Sequence, residues 1–191
     1  MPPRPNKAVI VTAPSGAGKT SIARHLLQQL PTLAFSISAT TRERRGAEVD
    51  GKDYHFIDLA TFQQHIHQHD FLEWEMVYEG KYYGTLLPLI QDIWQNGCTP
   101  LLDIDVQGAL RVMNDDRVQA LSLFIDPFSL DELGKRLRAR GTDPEASIRA
   151  RLEKASTELS FKERFDHIIV NDDLPNACRK AETIVRAFLE A

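Results

Sequence analysis

The 191-residue chain is poor in cysteine, with only Cys98 and Cys178 and no CxxC pair. That excludes a disulfide framework and a cysteine-rich zinc site. No apolar run approaches the ~20 residues that span a bilayer. The opening Met-Pro-Pro-Arg-Pro-Asn-Lys has no apolar stretch of the kind a secretory signal carries. Positive charge is not in excess: 23 Lys and Arg against 27 Asp and Glu leave a formal net charge of −4, which argues against a general nucleic-acid binder. Repeats and low-complexity segments are missing, apart from the prolines of the first five residues, read as a tail. The expectation is a cytoplasmic protein without membrane or nucleic-acid partners.

Hydrophobic residues make up 42% of the chain, enough for one sizeable core. Residues 8–12 form a β-branched apolar run that reads as a buried parallel strand. A Gly-rich turn follows, then a helical stripe of Ile22, Leu26, Leu27 and Leu30 that Pro31 ends. The same alternation returns later. Strands are expected at 99–104, 121–125 and 168–170, and helices at 106–114, 129–140, 144–160 and 175–189. This order predicts an α/β fold of P-loop type, a parallel sheet with helices on both faces. Between them, 36–58 and 71–85 combine charge, glycine and aromatics around one helix at 59–68, which predicts a small, mostly antiparallel insertion.

Ala13-Pro14-Ser15-Gly16-Ala17-Gly18-Lys19-Thr20 lies between the first strand and the first helix. In a phosphate loop at that position, backbone N–H groups wrap a phosphate. A lysine, here Lys19, reaches the β- and γ-phosphates, and a hydroxyl, here Thr20, is offered to Mg²⁺. The pattern's first glycine is replaced by Ala13. Arg42 and Arg45, three apart, suit an anionic ligand, because guanidinium forks match phosphate oxygens. Asp103 and Asp105 close an apolar strand and point the same way; Asp103 is either a ligand of hydrated Mg²⁺ or a structural acceptor at the strand end. His65 and His69 are spaced i, i+4, but no further ligand pattern accompanies them, and they read as exposed helix histidines.

The phosphate loop, Ser36 to Arg45, Gly51-Lys52-Asp53-Tyr54, Tyr82-Tyr83-Gly84-Thr85, Leu102 to Gly108 and Arg140-Gly141-Thr142 follow one another in an order that resembles the guanylate kinase family over nearly the whole chain. The resemblance implies a single domain with a core at about 6–35, 98–128 and 160–191, a GMP-binding insertion at about 36–97 and a lid at about 129–159. It implies transfer of the γ-phosphoryl group of ATP to GMP, and to dGMP, with Mg²⁺ as cofactor, in purine nucleotide metabolism. It assigns the GMP phosphate to Arg42, Arg45, Tyr54 and Tyr83, and guanine to Glu73, Ser38 and Thr85, with Asp105 reaching the same ligand. Arg140 and Arg151 match lid arginines, and Asn171 lies where the family contacts adenine, although an N-cap role suits one of Asn171, Asp172 and Asp173 equally. One residue more than usual separates Glu73 from Tyr83, so Glu75 competes with Glu73 as the base-reading carboxylate. Two rivals stay open: a silent module of the same fold that binds phosphorylated peptide partners, and a kinase for another phosphorylated nucleoside or sugar. Oligomeric state is left undetermined.

Overall fold

The structure is a computed structural model that describes residues 6–139 and 144–191, Tyr78 by its backbone alone. Five strands form one parallel sheet: β1 (Lys7–Thr12), β2 (Leu33–Phe35), β7 (Thr99–Asp103), β8 (Gln119–Asp126) and β9 (His167–Val170). Their order is β2-β7-β1-β8-β9, so β1 sits in the middle, with Val11 opposite Asp103 on one side and Leu123 on the other. Both faces of this sheet are covered, which is why its strands are continuously apolar. Val9, Val11, Leu123 and Ile125 pack with Ile22 and Leu26 of α1 (Lys19–Gln29) and Ala181 and Val185 of α7 (Leu174–Glu190). Their neighbours Ala8, Ile10, Leu102 and Phe124 meet Ile90 of α3 (Leu87–Gln95) and Ala109 and Val112 of α4 (Val106–Met113) on the opposite face.

A second sheet, in the order β4-β3-β6-β5, is built from β3 (Ala39–Thr40), β4 (His55–Phe56), β5 (Phe71–Tyr78) and β6 (Lys81–Leu86). Two of its three pairings are antiparallel and β3–β4 is parallel, as the mostly antiparallel insertion predicts. It carries its own small core. Phe62 of α2 (Leu59–His67) stacks on Phe71 at 4.4 Å between ring centroids and tilts against Tyr82. Two register shifts in the β5–β6 hairpin fall between Phe71 and Glu73 and between Met76 and Tyr78. The register between Glu73 and Met76 is regular, so irregularity at the hairpin tip does not displace Glu73 or Glu75.

α5 (Leu130–Ala139) and α6 (Glu145–Leu159) pack on each other through Leu133, Leu137, Ile148 and Ala155, a cluster separate from both sheets' cores. Helix and strand positions in the core agree with expectation to within a residue or two, the usual scatter of element ends. Two elements carried no sequence expectation. β2 has only three residues, too few for a period-2 pattern. α3 opens directly from β6 at Leu87-Pro88, with no polar cap to announce it. His65, spaced with His69 on the sequence, pairs with Asp70 at 2.9 Å.

Phe62 has no solvent exposure, and Phe62→Ala is expected to cost about 3–5 kcal/mol of stability through lost burial and the cavity left behind. Urea unfolding followed by circular dichroism measures this; a loss below about 1 kcal/mol would mean the small core can collapse around the gap.

Candidate functional site

Residues 13–20 leave the carboxyl end of β1 and enter α1. Gly16 and Gly18 adopt φ of 99° and 101°, the left-handed region that side chains rarely enter. A Cβ on Gly18 would also lie 2.2 Å from Nδ2 of Asn171, so only glycine fits. Ala13 is buried and is not among the residues of positive φ, which is why alanine is tolerated where the pattern has glycine. No acidic residue stands in the first turn of α1. The helix dipole and the loop amides therefore face an anion with no opposing carboxylate on that turn.

The loop lines a cavity of about 290 Å³ together with Asp105, Lys154 and Glu158. A second cavity of about 330 Å³ abuts it, walled by Ser38, Tyr54, Glu73, Glu75, Tyr83 and Asp103 among others. Lys19, Thr20 and Asp105 line both. Lys19 Nζ lies 2.7 Å from Asp103 Oδ1 and donates to Ile104 O at 3.3 Å. Asp103 ends β7, and parallel pairing of β7 with β1 is what brings it alongside the loop. Asp105 caps α4, its Oδ1 accepting from the Gly108 N–H at 2.8 Å.

The carboxylates of β5 differ sharply. Glu73 is 6% exposed and accepts the Thr85 hydroxyl at 2.6 Å, its cross-strand partner. Burial pushes its pKa up to about 7, against the lowering effect of the Thr85 bond, and the nearby charge of Asp105 adds to the rise. Gly108 of α4 lets that helix come close, since a Cβ there would meet Glu73 Oε2 at 2.7 Å. Glu75 is more exposed and already paired, its Oε2 lying 2.5 Å from Nη2 of Arg111. Arg111 also donates to the carbonyl of Trp74.

Arg42 is 7% exposed and grips Glu48 with both terminal nitrogens at 2.6 Å. Its guanidinium lies 4.8 Å over the Tyr54 ring. The Glu48 bond holds Arg42 more firmly protonated than usual, while burial opposes it. Glu48 is correspondingly held down to about 2, chiefly by Arg42 and then by the Arg45 N–H.

The guanylate kinase family model matches residues 5–188. The guanylate kinase of Chlorobium chlorochromatii is 44% identical over 183 residues, covering 96% of either chain. That of Nitratidesulfovibrio vulgaris is 48% identical over 169 residues, 88% of this chain and 81% of its own. The crystal structure of guanylate kinase from Anaplasma phagocytophilum matches this fold with a TM-score of 0.76 at 32% identity, covering 95% of this chain and 85% of that one. This chain belongs to the guanylate kinase family.

Set against the residues that family resemblance nominates, the structure gathers most of them and leaves some behind the walls. Ser38, Tyr54, Glu73, Tyr83, Asp103 and Asp105 line the second cavity with Lys19 and Thr20. Thr85, 1% exposed, stands behind Glu73. Neither Arg42 nor Arg45 lines that cavity. Arg42 backs Tyr54, and Arg45 is exposed, its N–H donating to Glu48. Arg151 of α6 reaches Ser15 Oγ at 3.5 Å, and Arg140 lies outside the described residues. Asn171 is 3% exposed; its Nδ2 donates to Ala17 O at 2.7 Å. It thereby fastens the phosphate loop to the end of β9, while Asp173 caps α7. Glu48, Lys154 and Glu158 were not singled out from the sequence. Glu48 carries no periodic signal because it meets Arg42 across an irregular turn, and the two α6 residues reach the loop only through packing.

A raised acid pKa has a stability consequence. Between the ordinary value of 4.5 and about 7 the folded chain keeps a proton on Glu73 that the unfolded chain has lost, so stability is fullest below pH 4.5 and falls as pH rises through 7. Glu73→Gln should remove that fall. Urea midpoints at pH 5 and 8 test it; equal pH dependence in both proteins would mean Glu73 stays ionised throughout.

Proposed function

We infer that the two abutting cavities are the donor and acceptor halves of one phosphotransfer site. As a guanylate kinase, the chain moves the γ-phosphoryl group of ATP onto GMP, giving ADP and GDP. The observation that carries the assignment of residues is the position of Lys19 on the shared wall of a phosphate-loop cavity and a carboxylate- and tyrosine-lined one.

In the donor half, the amides of residues 13–20 and Lys19 take the triphosphate. Lys19 exchanges its contact with Asp103 for the β- and γ-phosphates as ATP enters. In the acceptor half, guanine presents N1–H and an exocyclic amine as donors and O6 as an acceptor. The Glu73 carboxylate accepts the donors, Thr85 steadies Glu73, and Ser38 and Asp105 complete the base site. A buried carboxylate of this kind rejects a base lacking those donors, because the analogue leaves it unpaired. Tyr54, Tyr83, Arg42 and Arg45 take the GMP phosphate, with phosphate oxygens replacing Glu48 on Arg42. These groups read base and phosphate and none reads the sugar, so dGMP is an acceptor too. Substrates of this kind, and the sparse cysteines, suit a cytoplasmic enzyme of purine nucleotide metabolism. No described helix is long and apolar enough to cross a membrane.

A hydroxyl at Thr20 and a carboxylate at Asp103 on one cavity wall are the hard oxygen donors that Mg²⁺ prefers. These two residues would hold it, partly through water, and when bound it supplies charge neutralisation on the phosphates. The acceptor phosphate oxygen is already anionic, so no general base is required. In-line transfer then depends on positioning and on cations around the moving group. Lys19 supplies one. Arg151 and Arg140 supply others from 129–159, which acts as a lid, its α5–α6 pair moving on its own small core while 36–97 forms the acceptor unit. The core at 6–35, 98–128 and 160–191 holds the phosphate loop between them. Closure excludes water and so limits wasteful ATP hydrolysis.

Lys19→Met is expected to lower kcat by at least 10²–10³-fold, the scale of losing one transition-state cation, with the thermal midpoint within a few degrees of the parent. A coupled ADP-release assay with GMP, dGMP, AMP and UMP reads both points. Near-normal turnover in the variant, or AMP used as well as GMP, would overturn the reading.

A further inference from the structure

β5 is the outer strand of the second sheet, so the backbone groups on its free side have no sheet partner. An edge of this kind has to be paired or covered. Here α4 covers it. The helix rests on the core sheet through Ala109 and Val112 and packs on β5 with its other side. Asp105, Gly108 and Arg111 recur at intervals of three, which puts them on one helical face. Gly108 is the point of closest approach to Glu73. Arg111 stands one turn further on. One of its terminal nitrogens donates to the carbonyl of Trp74, and the other lies 2.5 Å from Glu75 Oε2. The guanidinium therefore spans the two residues that follow Glu73. Thr85 holds the Glu73 carboxyl from the opposite strand, so the side chain and the backbone beside it are fixed from different elements.

Charge adds to this arrangement. The charged and titratable groups around Glu73 are Asp105 and Arg111 at α4, Glu75 on its own strand, Tyr83 on β6, and Lys19 and Asp103 across the cavity. Burial raises the Glu73 pKa to about 7 and Asp105 adds to the rise, whereas the Thr85 bond and the positive charge of Arg111 oppose it. A carboxylate that reads N–H donors has to be ionised and correctly aimed. Arg111 favours both.

We propose that Arg111 is a positioning residue for guanine recognition: by bridging the Trp74 carbonyl and the Glu75 carboxylate, it fixes the stretch of β5 that carries Glu73. Its positive charge also keeps Glu73 able to ionise beside Asp105. Arg111 lines neither cavity, so it acts through Glu73 and not on the nucleotide. The proposal rests on the assignment of Glu73 to guanine above. A lysine in its place would keep the charge and lose the fork that holds two acceptors at once.

Steady-state kinetics of Arg111→Met and Arg111→Lys, from about pH 5.5 to 8.5, separate positioning from mere structural support. In Arg111→Met the KM for GMP should rise about 10- to 100-fold, the scale of one lost charge-assisted hydrogen bond. Both kcat and the KM for ATP should stay within about threefold, since neither depends on the aim of Glu73. The acid limb of kcat/KM for GMP reports the proton on Glu73 in the free enzyme. It should move to higher pH in Arg111→Met, because the opposing charge is gone. The ionisations of GMP itself are common to every variant. Arg111→Lys should keep the acid limb of the parent while still raising the KM for GMP. An unchanged KM for GMP in Arg111→Met, or an acid limb that does not move up, overturns the proposal. So does an equal rise in the KM values for GMP and ATP, which a general loosening of the fold would produce. Failure of the underlying assignment reads differently: Glu73→Gln would then leave the KM for GMP where it is.

Discussion

Parallel pairing of β1 with β7 on one side and β8 on the other is the constraint from which the site follows. It places the carboxyl ends of three strands in a row, with the phosphate loop leaving the middle one. Asp103 comes beside Lys19 from β7, and Asn171 is brought to Ala17 through the β8–β9 end. Gly18 has room for no side chain because Asn171 occupies that space. The loop is therefore clamped from its neighbours, and its lysine is presented at the junction of two cavities.

The groups with the most distinctive chemistry are those that help folding least. Glu73 is a carboxylate in an apolar wall, relieved by one hydroxyl and pushed toward neutrality. Phe128 takes a left-handed backbone with its ring largely exposed. Arg42 is held by both oxygens of Glu48, by the Glu43 carbonyl and over the Tyr54 ring. Buried or strained groups of this kind are tolerated because the surrounding parallel sheet, covered on both faces, supplies apolar burial in excess.

Much of the architecture was legible because it depends on short-range patterns. Apolar runs bounded by polar turns mark β1, β7 and β8, and i, i+3, i+4 stripes mark α1 and α7. The phosphate loop is legible because its glycines, lysine and threonine are contiguous. β2 escaped because three residues show no period, and α3 because it starts without a cap. Within the site, Arg42 and Glu73 were legible as residues but not as an arrangement: that Arg42 backs Tyr54 rather than facing the cavity depends on how two strand pairs close.

The sequence by itself determined the layered α/β core, the phosphate loop and the family, since those reside in local periodicity and contiguous motifs. Only the tertiary structure gave Glu73 and Glu75 different surroundings, burying the first against Thr85 and pairing the second with Arg111. Both are acidic residues on one face of one strand, alike in every local respect. What separates them is the dielectric of their surroundings and the charge across from them, and those exist only once distant segments have packed.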